Sequence, residues 1–215
     1  MARATAALRA GFVVAIPTDT VYGLAAAIDQ RAAIDRLYAL KARPANKAIP
    51  VLLSSSKELR QVSLGLSQVA EALADRFWPG ALTLVVAARS HLASGLTSVD
   101  ADGTSTVAVR VPDHQLARAI IRAAGGALAV TSANRSGGAP ALDVGDVLGL
   151  ADAAPTVIVD GGPAPGTRPS TVVLALSSQV VILREGAIAG EEIAAVVLGA
   201  GGEASGYGPV SAQGV

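Results

Sequence analysis

Five short segments of this 215-residue chain gather polar side chains where apolar runs end, and their residue types limit the chemistry available. Pro17-Thr18-Asp19-Thr20-Val21-Tyr22-Gly23 is dense in hydroxyls and ends in glycine. It reads either as a plain turn or as a loop that holds a small polar ligand against backbone amides. Lys41, Arg43 and Lys47 place three cations within seven residues, and Pro44 pushes Arg43 toward an extended backbone in which Lys41 and Arg43 point the same way. Such a cluster can neutralise a triphosphate or a leaving pyrophosphate, or simply complement the dipole at a helix C-terminus. Arg110 lies inside an apolar strand, on the face shared with Thr106 and Ala108. A buried cation there needs an anion, either a structural carboxylate or the carboxylate or phosphate of a ligand. Ser132 and Asn134 share one face at the end of another strand that runs into Gly137-Gly138, where backbone can approach a ligand. Ser170 opens one strand and Arg184 closes the next, adding a hydroxyl and a cation at the sheet rim.

Several chemistries are excluded. The chain has no cysteine, hence no disulfide, thiolate nucleophile or Cys-ligated metal. His91 and His114 have no partner at metal or triad spacing, so no protein-held metal is expected; His114 belongs to a helix start. Neither a Walker pattern nor Gly-x-Gly-x-x-Gly after a strand occurs. Seventeen basic residues balance seventeen acidic ones, so no global field gathers nucleic acid, and the few aromatics make a poor stacking platform. The longest uncharged run, Pro169 to Leu183, is too short to span a bilayer, and the N-terminus lacks a signal-peptide core. A cytoplasmic protein with no membrane contact is expected.

The elements that must position these groups follow from periodicity. Strands are predicted at Phe12–Ile16, Ile49–Leu53, Ala81–Ala87, Thr106–Val111, Ala127–Ser132, Thr156–Val159, Thr171–Leu176 and Val180–Leu183. Helices are predicted at Ala32–Lys41, at Gln68–Phe77 before the Pro79-Gly80 stop, after Pro112-Asp113, and at Glu191–Leu198. Alternation followed by a hairpin at Ser177-Ser178 implies an α/β fold with a mixed sheet. One domain over 1–198 is expected, with 199–215 as a frayed Gly/Ser/Ala-rich tail.

Each cluster is weak alone, but their order is specific: PTDTVYGL, KARP, FWPGALTLV, STVAVRVPDH, TSANRSG, DGG, PSTVV and ILREG. Together they closely resemble the YrdC-like family, whose members include L-threonylcarbamoyladenylate synthases, over about Phe12 to Ile188. The resemblance implies a twisted, open, mixed α/β sheet with flanking helices and a concave, positively charged cleft. It implies a nucleotidyltransferase that converts L-threonine, bicarbonate and ATP, carried with Mg²⁺, into threonylcarbamoyl-AMP and pyrophosphate. The product would pass to a threonylcarbamoyl-transferase complex for modification of adenosine 37 in tRNAs reading codons that begin with A. By resemblance Lys41 and Arg43 are catalytic. Thr20, Arg110, Ser170 and the Val130 backbone would hold threonine. Arg43, Lys47, Thr106, Ser132, Asn134, Pro140 and Arg184 would line the ATP site. Two departures stand out: Leu52 occupies the position where some relatives carry a threonine-contacting histidine, and the chain matches the single-domain form rather than the longer members. Grip on tRNA or double-stranded RNA without catalysis is the competing reading, and carbamoyl transfer as in hydrogenase-maturation proteins is a third, disfavoured by the lack of cysteines.

Overall fold

The computed structural model describes residues 1–135, 137–150, 154–165 and 168–206. Eleven strands among these residues form one mixed sheet. In chain order they are β1 (Val14–Ile16), β2 (Gly23–Ala27), β3 (Val51–Leu53), β4 (Leu82–Ala87), β5 (Thr97–Val99), β6 (Ser105–Arg110), β7 (Ala127–Ser132), β8 (Val157–Ile158), β9 (Thr171–Leu174), β10 (Gln179–Arg184) and β11 (Glu203–Ser205). Their spatial order is β11-β10-β9-β4-β6-β3-β7-β2-β1-β8, with β5 paired beside β6. Pairs β3/β6, β4/β9, β1/β8 and β10/β11 are parallel and the others antiparallel, including the β9/β10 hairpin expected from the sequence.

Among the described residues six α-helices flank the sheet: α1 (Ala2–Arg9), α2 (Arg31–Lys41), α3 (Gln68–Phe77), α4 (Gln115–Ala123), α5 (Val144–Leu148) and α6 (Gly190–Gly199). Side chains alternate across the pleat. Val51, Leu53, Leu82, Leu84, Val107, Val109, Val173 and Val180 face a large core with Ile34 and Leu37 of α2, Leu73 of α3 and Ile193 of α6. Each fully buried aliphatic side chain there contributes on the order of 1.5–3 kcal/mol. The opposite face is divided. Over β1, β2, β3 and β7 it is closed by Ala4 and Leu8 of α1 and Ile120 and Ile121 of α4. Over β4, β6 and β9 its cluster is only Val85, Ala108 and Val172, with no helical residue. A cleft opens along this face, lined by Thr83 and Val172 of the second half and by Gly23, Leu52 and Val130 of the first.

Caps fix the helix ends. Ser67 Oγ accepts from Ala70 N at the start of α3, and His114 Nδ1 accepts from Ala117 N at the start of α4, the helix-start role expected for that histidine. Where the sequence predicts one strand over Phe12–Ile16, only Val14–Ile16 is strand, because Gly11 at φ +76° is still closing α1. Phe12 is therefore exposed, with the Arg36 guanidinium over its ring. Strand β11 and the end of α6 lie where a tail is expected from Gly199; β11 pairs parallel with β10, and residues 207–215 lie outside the described residues. Among the described residues no helix is long and apolar enough to cross a membrane.

Candidate active site

The site collects at one end of the central strands. Register sets Gly23 beside Ser132, Leu52 beside Arg110 and Thr83 beside Val172. These residues line a cleft of about 320 Å³, within the range of small-molecule pockets. Thr20, Lys41, Arg43, Lys47, Arg110, Val130, Ser132, Asn134, Ser170 and Arg184 all line it, so ten of the sequence-named residues meet. Thr106 and Pro140 do not. Thr106 sits at the far end of β6, donating to Ser98 O at 3.2 Å, and Pro140 is exposed beyond the Asn134 turn.

Lys41 ends α2 and is only 3% exposed. Its Nζ lies 2.7 Å from Asn134 Oδ1, 2.8 Å from Ser132 O, 3.0 Å from Ser132 Oγ and 3.2 Å from Thr131 Oγ1. Four neutral oxygens thus saturate an ammonium that has three donors and no carboxylate. Burial first, and then the Arg43 charge, lower its pKa to about 8. Asn134 is held on both sides, its Nδ2 donating to Gly138 O at 2.6 Å and its Oδ1 also accepting from Ser132 Oγ at 2.7 Å.

Ala42 explains how Lys41 and Arg43 share the cleft. It takes the left-handed conformation at φ 48°, ψ 42°, closing α2 with Arg43 N donating to Tyr38 O. Arg43 then donates from Nε to Lys47 O at 2.8 Å and from Nη2 to Ala48 O at 2.6 Å. Both residues therefore organise loops while presenting charge to the cleft.

Arg110 has the partner a buried cation requires. Nη2 pairs with Asp19 Oδ1, Nε donates to Gly80 O at 2.9 Å, and Nη1 donates to Thr20 Oγ1 at 3.3 Å. A structural carboxylate is thus present, and the fork is fixed in direction. Thr18 spends its proton on Val21 O at 2.6 Å, so across the 3.1 Å contact Thr20 is the donor to Thr18 Oγ1. Thr20 consequently gives to Thr18 and accepts from Arg110.

On the other wall, Thr83 Oγ1 and Ser170 Oγ lie 2.8 Å apart, and Arg184 Nη2 donates to Ser170 O at 3.0 Å. The Arg184 residue is exposed at the rim, yet its guanidinium pKa is lowered by partial burial and then by Arg110 and Arg43. Arg43, Arg110 and Arg184 all line the cleft, so three guanidiniums converge on one space. No described lining residue is acidic. The Val130 N–H is already bonded to Pro50 O, which leaves its side chain and carbonyl for the cleft. Gly23 is required at the floor, since a Cβ there would come within 2.5 Å of Val130 Cγ1. Among the described residues no group of three carboxylates or histidines could hold a metal.

The sequence reading did not single out Thr83, the one hydroxyl of β4, Thr131, which meets Lys41 Nζ, or the pairing of Asp19 with Arg110. Period-two counting could have flagged Thr83 but sets Thr131 on the face opposite Val130 and Ser132. The third needs the fold, because 91 positions separate the partners.

A family model named for Sua5, YciO and YrdC and described as telomere recombination matches residues 6–186. The chain is 38% identical over 197 residues, 92% of its length, to a threonylcarbamoyl-AMP synthase of Bacillus subtilis, and it spans 56% of that protein. It is 36% identical over 197 residues to a putative threonylcarbamoyl-AMP synthase of Mycobacterium leprae, spanning 87% of that protein. The crystal structure of Pyrococcus abyssi Sua5 complexed with L-threonine superposes with a TM-score of 0.84 at 33% identity, covering 94% of this chain and 58% of that one. The chain thus spans little more than half the length of the Bacillus and Pyrococcus proteins it matches.

Proposed function

Since the chain belongs to the Sua5/YciO/YrdC family, we propose that it is a threonylcarbamoyl-AMP synthase, acting on L-threonine, bicarbonate and MgATP and serving threonylcarbamoyladenosine formation in tRNA. One observation supports this most: Lys41, Arg43, Lys47, Arg110 and Arg184 face one cleft in which no described lining residue is acidic, an electropositive enclosure suited to a polyphosphate. The threonine amine and bicarbonate give a carbamate with loss of water. A carbamate oxygen then attacks the α-phosphorus, the bond to the β-phosphate breaks, and pyrophosphate leaves. No protein nucleophile is needed; orientation and charge stabilisation suffice.

Thr20, Arg110 and Ser170 form the amino-acid end. Arg110 has N–H bonds beyond those spent on Asp19, Thr20 and Gly80 with which to meet the substrate carboxylate. Arg43, Lys47, Ser132, Asn134 and Arg184 form the nucleotide end, with Lys41 setting the shape of the Ser132–Asn134 turn. Thr106 and Pro140 enter this account only if nucleotide binding draws them toward the cleft. Mg²⁺ arrives on the phosphates as part of the substrate. The product goes on to a threonylcarbamoyl-transferase complex. Pyrophosphate release from MgATP and bicarbonate, measured with and without L-threonine, tests the reading: release that is equal in both conditions contradicts it.

A further inference from the structure

The Asp160-Gly161-Gly162 turn and Tyr22 line no part of the cleft, yet they are built together. Tyr22 is fully buried. Its phenol donates to Gly162 O at 2.7 Å and accepts from Gly161 N at 3.2 Å. The turn is shaped for this contact: Gly162 has φ +79° and its N–H donates to Asp160 Oδ1 at 2.9 Å. Gly161 passes so close to the threonine-rich turn that a Cβ would sit 2.5 Å from Pro17 Cγ. The Tyr22 main chain meanwhile donates to Ala141 O at 2.9 Å and accepts from Ala133 N at 2.8 Å.

We propose that Tyr22 is a positioning residue whose hydroxyl clasps the Asp160–Gly162 turn behind Pro17 and so holds the Thr18–Thr20 turn at the amino-acid end of the cleft. The consequence for threonine rests on the function proposed above; the clasp itself does not. The phenol acts on the turn that carries Asp19 and Thr20, the groups that orient Arg110. Main-chain hydrogen bonds tie Tyr22 to the Asn134 side, so removing the hydroxyl leaves those bonds in place while releasing the other end. Loss of the clasp is therefore selective: the threonine end loosens and the nucleotide end does not.

Tyr22→Phe deletes one oxygen and keeps the ring. The expected result is a rise of about five- to tenfold in KM for L-threonine, with kcat and KM for MgATP changed less than about twofold. Amide hydrogen exchange needs no substrate, and the Thr20 and Val21 amides, both bonded to Thr18 Oγ1, should exchange faster in the variant. Gly161→Ala, which presses on Pro17 from the other side, should move threonine KM and these amides in the same direction. Unchanged exchange at Thr20 and Val21, or equal rises in both KM values, overturns the clasp. A wild-type protein that releases no pyrophosphate with threonine overturns the functional reading instead, and exchange still decides the clasp.

Discussion

Replacing Lys41 by methionine tests the least usual feature of the site, a buried ammonium held only by neutral oxygens. Its pKa falls from 10.5 to about 8 on folding, through burial first and the Arg43 charge second. The sign follows from proton counting. Between about pH 8 and 10.5 the unfolded chain holds a proton that the folded one has released, so stability rises with pH across that window. Below pH 8 the buried charge costs its full value, about 3 kcal/mol for a shift of this size. Integrating the two titrations gives wild type a gain of about 2.5 kcal/mol from pH 7 to pH 10. Lys41→Met carries no such titration. Urea denaturation of both proteins at several pH values, compared as a difference, removes every other titrating group from the result. The wild-type midpoint should climb relative to the variant by about 1 M across this range for a chain with an m value near 2 kcal/mol/M. Curves that stay parallel within about 0.5 kcal/mol would falsify the assignment of a depressed Lys41 pKa. At pH 7 the methionine also leaves acceptors without a donor, which offsets the relief of losing the charge; the slope is the diagnostic.

Three further changes probe the cleft. Arg110→Ala should lower threonine-dependent turnover at least about 100-fold while circular dichroism stays native, because it removes the fork and strands Asp19; near wild-type turnover contradicts the carboxylate assignment. Arg43→Ala should raise KM for MgATP at least about tenfold and leave threonine affinity within about twofold, and titration calorimetry with each ligand would expose the reverse order. Ala42→Gly relaxes a left-handed residue at φ 48° and should stabilise the protein by about 1 kcal/mol, read from the urea midpoint; a loss of stability means the backbone there is not strained.

Strands β4, β6 and β7 were legible because they are buried on both faces and read as continuous runs, and β10 because its buried residues alternate; all four lie within two residues of their expected limits. Helix α3 matches the expected Gln68–Phe77, since its stripe, its Ser67 cap and its Pro79 stop agree. Strand β2, Gly-Leu-Ala-Ala-Ala, carries almost no strand propensity and exists because β1 and β7 enclose it. Helix α1 is hidden for a similar reason: apart from alanine and Thr5, Leu8 is its one buried anchor. In the site, the cation and hydroxyl clusters could be named from local order alone, as Lys41 with Asn134 shows. What each of them bonds to could not. The Asp19–Arg110 pair and the Tyr22–Gly161 contact join segments roughly 90 and 140 positions apart, a relation that only the sheet order creates.

The most direct measurement of the central claim is the identity of the nucleotide product formed from MgATP, L-threonine and ¹³C-bicarbonate. A threonylcarbamoyl-AMP synthase yields an AMP adduct bearing both threonine and the labelled carbon, formed together with pyrophosphate and absent when threonine is omitted. A product limited to ADP or free AMP, or an adduct without the labelled carbon, would contradict it.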